Sequence, residues 1–430
     1  GGVVMAKLLI DGKLVDPGRS YPSENPATGE VIGQAPDATL KEAEAAMAAA
    51  RRAFDDTDWS TNKVFRAKCL RQFAEGLERH KEELREMTMR EVGHTLNLTY
   101  GPALESPLAL VPYYADLAES YEYTLDLGVG DSFGTMHHRW IEKEPAGVVA
   151  AIIAYNMPTQ LALAKIAPAL AAGCTVILKG APQTPFTTLI LSEIIANETD
   201  IPAGVVNILT SPDPEVAAVL TTDPRVDMIT FTGSTPVGRA IMAAASDTIK
   251  KCFLELGGKS AMVILDDADA EMPAMAAAMG GTSNSGQGCS ITTRILVPKS
   301  REAEITEKIA AQMRAVKVGD PLADPENTMG PLISEAQRDK VAGMVDRAIA
   351  AGAVAVTGGH KMEGPGYFFE PTLLTNVTND MEIAQDELFG PVLVVIPYED
   401  DDDAIRIAND SVFGLSATVI SADQERAIKV

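Results

Sequence analysis

The chain has 430 residues, of which 46% are hydrophobic and 22% charged, a composition typical of globular proteins with two or three domains. Its formal net charge of −24 at pH 7 argues against nucleic acid and anionic membranes as partners, because both require a basic surface. A phosphate-bearing ligand would need local amides and lysines to hold it, since the field of the whole chain repels it.

Cysteine usage predicts a reduced, cytoplasmic protein. The four cysteines form no CxxC pair and the five histidines do not cluster with acids, so no metal site is expected. The start of the chain has no apolar run long enough for a signal peptide, and no stretch reaches the roughly 20 apolar residues of a membrane span. The cysteines are Cys69, Cys174, Cys252 and Cys289.

The first third of the chain is predicted to be short strands followed by helices. Residues 7–35 read as strands and turns, and Thr39 with Glu42 forms a capping-box signature for a helix to about residue 54. A second long amphipathic helix is expected to run to about residue 90, with Cys69 in its apolar face as core packing.

Residues 121–141 are predicted to form a β-hairpin, because the extended stretches YEYTLDL and TMHHRWIEK flank the turn-rich sequence GVGDSFG. A hairpin between helical segments has exposed strand edges unless something covers them. One interpretation is a surface flap. We favour the other, an arm that pairs with another subunit.

From Gly147 the pattern alternates between strand and helix, which predicts a parallel, doubly wound sheet. Such sheets bind ligands at the carboxyl ends of their strands. The strands are expected at 148–153, 175–178, 205–209 and 226–231, with helices at 159–172, 185–198, 214–221 and 235–247. The residues just after the strands, which should share one edge, are Tyr155–Asn156, Lys179, Thr210–Ser211 and Gly233–Ser234.

A second α/β unit is expected after Glu255. Its strands are AMVIL, RILVP and segments around 372–376, 392–396 and 415–420, with helices near 301–316 and 334–351. The acidic run Asp400–Asp403 is interpreted as the start of a helix, where carboxylates favour the N-terminal dipole. A last helix opens at Ser421 and stops at Val430 without a cap, so we expect the natural protein to extend further.

The stretch from Gly280 to Arg294, GGTSNSGQGCSITTR, contains the most informative cysteine. Its residues are small or polar and none looks like core, so Cys289 is predicted to lie on a loop. Most intracellular cysteines are inert packing, and Cys252, beside Phe253 and Leu254, fits that description. Upstream, Glu255 in FLELGGKS is followed by two glycines. A nucleophile and a candidate base on glycine-bracketed turns suggest covalent catalysis on a carbonyl.

Two further features suggest a dinucleotide, although each has an ordinary alternative. In VDMITFTGSTPVGRA a strand meets Gly233 and Ser234 before a helix, where amides and close backbone approach suit a pyrophosphate. The spacing differs from the usual dinucleotide fingerprint, so alone it is weak. Lys179 ends the strand TVILK; it is either a solvated charge or a ligand for cofactor ribose or phosphate.

Two loops carry the remaining candidates. Asn156 in AIIAYNMP is either a turn asparagine or an amide donor to an oxyanion. In AQDELFGPVL, Glu387 and Phe389 lie between extended segments, where the acid could be solvated and the phenylalanine part of the core.

Taken together and in order, YNMP, ILKGAPQTP, FTGSTPVG, LELGGKS, GQGC and ELFGPV resemble the aldehyde dehydrogenase superfamily over essentially the whole chain. The resemblance implies two doubly wound parallel-sheet α/β domains, a Rossmann-like cofactor domain and a catalytic domain, with a protruding hairpin for oligomerisation. We therefore expect a cofactor domain at residues 1–120 and 142–254, a hairpin arm at 121–141 and a catalytic domain at 255–430. A homodimer or homotetramer is expected by resemblance alone.

The resemblance also implies a role for each site residue. Cys289 matches the nucleophile, Glu255 the base that activates water, and Asn156 the side chain that stabilises the oxyanion with the Cys289 amide. The expected cofactor contacts are Tyr155, Lys179 on the adenosine ribose, Gly233 and Ser234 on the pyrophosphate, Glu387 on the nicotinamide ribose and Phe389 on its ring.

The sequence departs from the family pattern at two positions beside Lys179. Gly180 stands where proline is usual, which implies a looser turn. Pro182 stands where many NAD-preferring members carry a glutamate that bonds the ribose hydroxyls and repels a 2′-phosphate, so this position leaves the choice between NAD and NADP open. NAD is the expected cofactor, and NADP is not excluded.

The expected reaction is NAD(P)-dependent oxidation of an aldehyde to a carboxylic acid through a cysteine thiohemiacetal and thioester. One alternative is a CoA-acylating dehydrogenase, against which the retained Glu255 counts. Another is a catalytically silent structural or binding protein, against which the complete motif set counts. The identity of the aldehyde is not encoded in any motif.

Overall fold

The computed structural model describes residues 6–430, which form mixed α/β structure. The β-strands are β1 Leu8–Ile10, β2 Lys13–Val15, β3 Ser20–Glu24, β4 Val31–Pro36, β5 Thr124–Ser132, β6 Thr135–Glu142, β7 Val148–Ile152, β8 Thr175–Lys179, β9 Val206–Leu209, β10 Met228–Thr232, β11 Lys251–Glu255, β12 Ser260–Ile264, β13 Thr292–Pro298, β14 Val354–Thr357, β15 Thr372–Thr375, β16 Val392–Tyr398 and β17 Ala417–Ile420. The α-helices are α1 Leu40–Asp55, α2 Lys63–Arg79, α3 Lys81–Glu91, α4 Leu96–Thr99, α5 Glu105–Leu108, α6 Leu110–Ser120, α7 Pro158–Ala172, α8 Pro185–Glu198, α9 Pro214–Thr222, α10 Thr235–Ala245, α11 Glu271–Thr282, α12 Glu302–Arg314, α13 Glu335–Ala350, α14 Glu382–Gln385, α15 Asp401–Asn409 and α16 Gln424–Lys429.

The chain divides into two compact units. The first unit comprises Gly1–Ser23, of which residues 6–23 are described, Gly33–Arg85 and Gly101–Glu255. The second comprises Glu24–Ile32, Glu86–Tyr100 and Leu256–Val430.

The first unit is built on a seven-stranded sheet with the order β11-β10-β7-β8-β9-β1-β2. The five strands from β11 to β9 are parallel, and β1 and β2 extend the sheet in antiparallel fashion. Strands β7 and β8 are buried along their whole length, as expected for parallel strands covered on both faces by helices. The strand–helix alternation predicted from Gly147 onward is therefore confirmed, with an antiparallel edge added.

A two-stranded hairpin of β5 and β6 projects from the first unit, and its strands are almost entirely exposed. The large apolar side chains exposed on it include Val129, Phe133 and Trp140. The hairpin predicted at 121–141 is thus present as a structural element.

The second unit contains a six-stranded sheet with the order β14-β15-β16-β13-β12-β17, parallel except for β14. Alternate residues of β12 enter different cores, because successive side chains of a strand point to opposite faces. Ala261 and Val263 pack into one apolar cluster, whereas Met262 and Ile264 pack into the other. The sheet therefore has a core on each face.

Several helix starts follow the sequence signals. Thr39 and Glu42 form the predicted capping box at the start of α1. Asp400 caps α15 by accepting a hydrogen bond from the amide of Asp403 at 2.9 Å, which confirms the interpretation of the acidic run. The last helix, however, is capped by Asp423 rather than opening at Ser421.

The long helix predicted to reach residue 90 was wrong, since it breaks into α2 and α3 at His80. The His80 ring bonds both to Glu83 at 2.8 Å and to Glu198 at 2.5 Å. Glu198 is a distant partner at the end of α8, so no local pattern marked the break. Cys69, expected to be core packing, is fully buried in α2, and burial raises the pKa of its thiol to about 12.

Among residues 6–430, no helix combines the length and apolar character needed to cross a bilayer.

Candidate active site

In the first unit, the predicted site residues share one edge of the seven-stranded sheet. Strands β7, β8, β9 and β10 are parallel neighbours, so their carboxyl ends lie side by side. Each predicted residue follows or ends one of these strands, and Glu255 ends the adjacent β11. The common edge expected from the sequence is confirmed. The edge residues are Tyr155, Asn156, Lys179, Thr210, Ser211, Gly233, Ser234 and Glu255.

Asn156 lies in the turn between β7 and α7, and only 8% of its surface is exposed. Pro158 begins α7, where a missing backbone N–H costs nothing and the fixed φ favours the helix. The turn is thereby short and fixed, which holds the Asn156 carboxamide in a mostly buried position. Tyr155 beside it is partly exposed.

Lys179, the last residue of β8, is only 4% exposed. Its Nζ donates a hydrogen bond to the carbonyl oxygen of Ser211 at 2.8 Å. Burial lowers the pKa of Lys179 to about 8, although the charge of Asp213 acts in the opposite direction. A solvated lysine is therefore not what the structure shows, and the charged ammonium is the main form of Lys179 near neutral pH.

The turn after β10 has features that suit a dinucleotide phosphate. Ser234 caps α10, with its hydroxyl near the amide of Val237 at 3.5 Å. The backbone N–H of Gly233 donates to the carbonyl of Glu255 at 3.0 Å. The Thr232 hydroxyl is buried and has no hydrogen-bond partner within residues 6–430. An orphaned donor beside a helix N-terminus fits a bound phosphate oxygen.

Sequence reasoning missed Lys165, which lies on α7 and is 7% exposed. Its Nζ donates to the Thr230 hydroxyl of β10 at 3.0 Å. Burial lowers the pKa of Lys165 to about 8, partly offset by the charge of Glu255. The signal was present in the sequence as a lone lysine in the apolar helix LALAKIAPAL, because an unpaired charge is rarely buried without purpose.

In the second unit, Cys289 lies in a turn between α11 and β13, at the amino edge of the six-stranded sheet. The thiol-bearing residue is partly exposed, which confirms the predicted loop, although the stretch begins inside α11 and ends inside β13. Three consecutive residues before it, Asn284, Ser285 and Gly286, have φ values of 50°, 55° and 77°. Two of these are not glycine, so the approach to the cysteine is held in an unfavourable left-handed conformation.

The expectation that none of this stretch belongs to the core was wrong. Ser285 and Gln287 are fully buried. The Gln287 carboxamide donates to the carbonyl of Asn284 at 2.9 Å and accepts from the amide of Ile333 at 3.0 Å. Polar side chains are buried here because backbone groups satisfy them. Cys252, expected to be a buried structural cysteine, is instead only partly buried on β11.

Glu387 and Phe389 lie on the loop before β16, at the same amino edge. A Glu387 carboxylate oxygen accepts a hydrogen bond from the amide of Gly258 at 2.8 Å. Burial raises the pKa of Glu387. The acid is therefore partly buried and hydrogen-bonded rather than fully solvated, contrary to its ordinary alternative.

Gly258 also connects this loop to the cysteine. A Cβ atom at Gly258 would overlap the carbonyl oxygen of Cys289, so only glycine permits the close approach. The amide of Gly258 meets Glu387 while its α-carbon meets Cys289. Within the second unit, the structure therefore brings the Cys289 turn and the Glu387 loop together.

A family model, related sequences and solved structures all match this chain to the same family. The family model described as "Aldehyde dehydrogenase family" matches residues 15–430. The chain belongs to the aldehyde dehydrogenase family. The protein is an NAD(P)-dependent aldehyde dehydrogenase and oxidises an aldehyde to a carboxylic acid.

Individual relatives within the family agree over nearly the whole chain. A peroxisomal aminoaldehyde dehydrogenase 2 of Pisum sativum is 38% identical over 432 residues, covering 99% of this chain and 85% of the relative. A 3-succinoylsemialdehyde-pyridine dehydrogenase of Pseudomonas is also 38% identical, covering 99% of this chain and 88% of the relative. The crystal structure of a Mycobacterium tuberculosis aldehyde dehydrogenase complexed with NAD+ superposes with a TM-score of 0.93 at 40% identity, covering 100% of this chain and 88% of that chain.

Proposed function

We propose that Cys289 is the nucleophile of this aldehyde dehydrogenase. The observation that carries the proposal is the combination of a partly exposed cysteine turn with three buried residues in a left-handed conformation, 284–286, shortly before it. Strained backbone persists only where the surroundings impose it, and it clusters at functional sites. The other cysteines lie inside regular elements or next to one: Cys69 in α2, Cys252 in β11 and Cys174 just before β8.

In the first step, the Cys289 thiolate forms a C–S bond to the aldehyde carbon, and the carbonyl π electrons move to oxygen. The side-chain amide of Asn156 and the backbone N–H of Cys289 donate hydrogen bonds to this oxyanion. An oxyanion donor of this kind contributes about 3–4 kcal/mol to transition-state stabilisation. The product is a thiohemiacetal on the cysteine.

A bound nicotinamide dinucleotide accepts the hydride when the thiohemiacetal is oxidised to a thioester. Lys179, Gly233 and Ser234 are proposed to hold its adenosine ribose and pyrophosphate, a role that the buried lysine and the orphaned Thr232 hydroxyl support. Tyr155 lies at the same edge and is proposed to contact the cofactor. Glu387 and Phe389 are proposed to contact the nicotinamide ribose and ring.

In the last step, Glu255 removes a proton from water, and the water oxygen attacks the thioester carbonyl. The C–S bond breaks, the carboxylic acid leaves, and the Cys289 thiolate is restored. Glu255 is partly exposed at the end of β11, as a base that exchanges protons with water must be.

Replacement of the two reacting side chains tests these roles. Cys289→Ala is expected to abolish aldehyde oxidation, because no other group forms the thioester. Glu255→Gln is expected to release one equivalent of NADH in a burst and then stall as acyl-enzyme. The measurement is stopped-flow absorbance at 340 nm with intact-protein mass spectrometry of the stalled enzyme. A normal steady-state rate in Glu255→Gln would refute the role of that residue, and acceleration by CoA would favour acyl transfer to CoA instead.

Cofactor and substrate preference require a separate experiment. An aldehyde panel that includes aminoaldehydes and semialdehydes, the classes named for the Pisum and Pseudomonas relatives, should be run with NAD and NADP in parallel. NAD is the proposed cofactor. Because Pro182 offers no carboxylate to repel a 2′-phosphate, we expect NADP to support measurable turnover.

The roles of the two domains and the oligomeric state are also proposals. Residues 1–120 and 142–254 are proposed as the cofactor domain and residues 255–430 as the catalytic domain. The exposed apolar side chains of the β5–β6 hairpin support its role as an arm that pairs with another subunit in a homodimer or homotetramer. A cytoplasmic location is proposed because all four cysteines lie in the described part of the chain and none is in a disulfide there.

A further inference from the structure

The start of α13 holds the loop that carries Phe389. Gln337 lies in the first turn of this helix, and its own backbone N–H donates to the capping hydroxyl of Ser334 at 3.1 Å. Its side-chain nitrogen donates to two successive carbonyl oxygens, that of Leu388 at 3.1 Å and that of Phe389 at 2.9 Å. A single carboxamide on a capped helix therefore fixes the direction of two peptide groups.

Those two hydrogen bonds act on a strained residue. Phe389 has a φ of 59°, which is a left-handed conformation that a bulky side chain rarely adopts. Such a conformation is strained and persists only when neighbouring groups impose it. The Gln337 side chain of α13 donates hydrogen bonds to the backbone of the turn that contains Phe389.

The Phe389 turn supports the segment that leads to Cys289. Gly390 follows Phe389, and its carbonyl oxygen lies against the α-carbon of Gly286, where a Cβ atom would overlap it. Gly286 is the last of the three left-handed residues that lead to Cys289. The shape of the Phe389 turn is thus passed to the nucleophile loop through backbone atoms in contact.

We propose that Gln337 is a positioning residue for the nucleophile: by holding the carbonyls of Leu388 and Phe389, it fixes the turn on which the loop of Cys289 rests. The proposal rests on the proposed role of Cys289. Gln337 acts through the backbone, so its loss should loosen the cysteine loop and leave the rest of the fold intact.

The test is the reactivity of the Cys289 thiol without cofactor or substrate. Gln337→Glu keeps the size of the side chain but removes both donors, and Gln337→Ala removes the side chain without adding charge. Each variant is alkylated with iodoacetamide and with a bulky maleimide, and the Cys289 peptide is quantified by mass spectrometry. Because a loosened loop admits the larger reagent more readily, the maleimide-to-iodoacetamide rate ratio should rise about fivefold in both variants.

Matched controls separate this effect from general changes. Gln312 is an exposed residue of α12, so Gln312→Glu makes the same charge change away from the loop and should leave the ratio unchanged. Gly286→Ala, which forces the contact with Gly390 apart, should raise the ratio. Gly280→Ala, whose Cβ meets nothing within 4 Å, should not. Cys69 and Cys174 are buried in the first unit and should stay unlabelled, which reports an intact fold.

Steady-state kinetics give a second readout. Gln337→Glu should lower kcat about tenfold or more with a smaller change in the KM for NAD, since misplacing a reacting group by about 1 Å costs up to 100-fold. An unchanged reagent ratio in both Gln337 variants would overturn the positioning role. Oxidation that survives in Cys289→Ala would instead overturn the proposed function, and the alkylation result does not depend on it.

Discussion

At the scale of single residues, the protein buries several lysines whose pKa values are lowered. Lys165, Lys179 and Lys259 are each less than 10% exposed, and burial lowers the pKa of each to about 8. Lys259 follows Gly258 directly, and the positive charge of Arg294 lowers its pKa further. A buried lysine whose pKa has fallen to about 8 is still mostly charged at neutral pH. It costs folding free energy there, because the charged form loses its hydration on burial.

Lys259→Met should therefore stabilise the protein at neutral pH. The folded pKa of Lys259 lies below the unfolded value of about 10.4, so the unfolded state binds more protons between these values. The penalty is complete below pH 8 and disappears as pH rises through that window. We expect a gain of about 1–3 kcal/mol in the free energy of unfolding at pH 7, measured by urea titration, and a smaller gain at pH 9.5. An equal gain at both pH values would show that the Lys259 charge is not the cause.

At the scale of elements, the junction of α2 and α3 depends on an ionisable contact. His80 bonds Glu83 and Glu198, and hydrogen bonds to both carboxylates raise the pKa of His80, with burial acting in the opposite direction. Arg79 also bonds Glu198, so the junction joins two cations to the end of α8. A neutral imidazole has one N–H, so the ring donates to both carboxylates only while it is protonated.

His80→Gln should destabilise the protein more at pH 6 than at pH 8.5. A raised folded pKa contributes stability that is complete below the unfolded pKa of about 6.5 and is lost as pH rises through the folded value. The contact is partly solvated, so we expect a loss of no more than about 1 kcal/mol at pH 6. Thermal unfolding at the two pH values measures it. His137→Gln, on the exposed hairpin, is the control and should show no such difference.

The same element shows what local sequence could and could not predict. The strands and helices from Gly147 onward were predictable because each apolar run is bounded by glycine, proline or a cap. The break at His80 depends on Glu198, more than a hundred residues later, and left no local trace. Burial of Gln287 was likewise hidden, because its partners include the backbone of Pro331 and Ile333.

The candidate site likewise has features that local sequence predicts and features that depend on distant contacts. Motif order led to the predictions for Cys289, Glu255 and Asn156, which stay predictions, and the sheet edge of the first unit was predictable from strand ends alone. Lys165 left a signal as a lone lysine in an apolar helix, but it was not recognised. Gln337 left none, since its importance comes from hydrogen bonds that no motif records.

At the scale of the whole molecule, a net charge of −24 opposes self-association. The hairpin of β5 and β6 nevertheless exposes several large apolar side chains. Salt at physiological concentration screens charges that are more than about 8 Å apart. Apolar contact on the hairpin then outweighs the weakened charge repulsion between subunits. The proposed assembly should therefore strengthen as ionic strength rises.

A pair of matched substitutions tests the hairpin. Val129 on the hairpin is 67% exposed and Val64 on α2 is 63% exposed, so Val→Lys makes the same chemical change at each. Val129→Lys should shift the protein toward smaller species in sedimentation velocity, by about tenfold or more in the dissociation constant, as expected for a buried charge at an interface. Val64→Lys should sediment like the unmodified protein. Identical sedimentation of both variants would exclude the hairpin as the pairing arm.

The backbone support of the Cys289 turn has a consequence for redesign. Because Gly258, Gly286 and Gly390 shape that turn through main-chain contacts, the geometry of the proposed nucleophile is not set by the exposed side chain of Ser290 that follows it. A mutant library aimed at new aldehydes can therefore diversify position 290 freely, provided that the three glycines remain invariant.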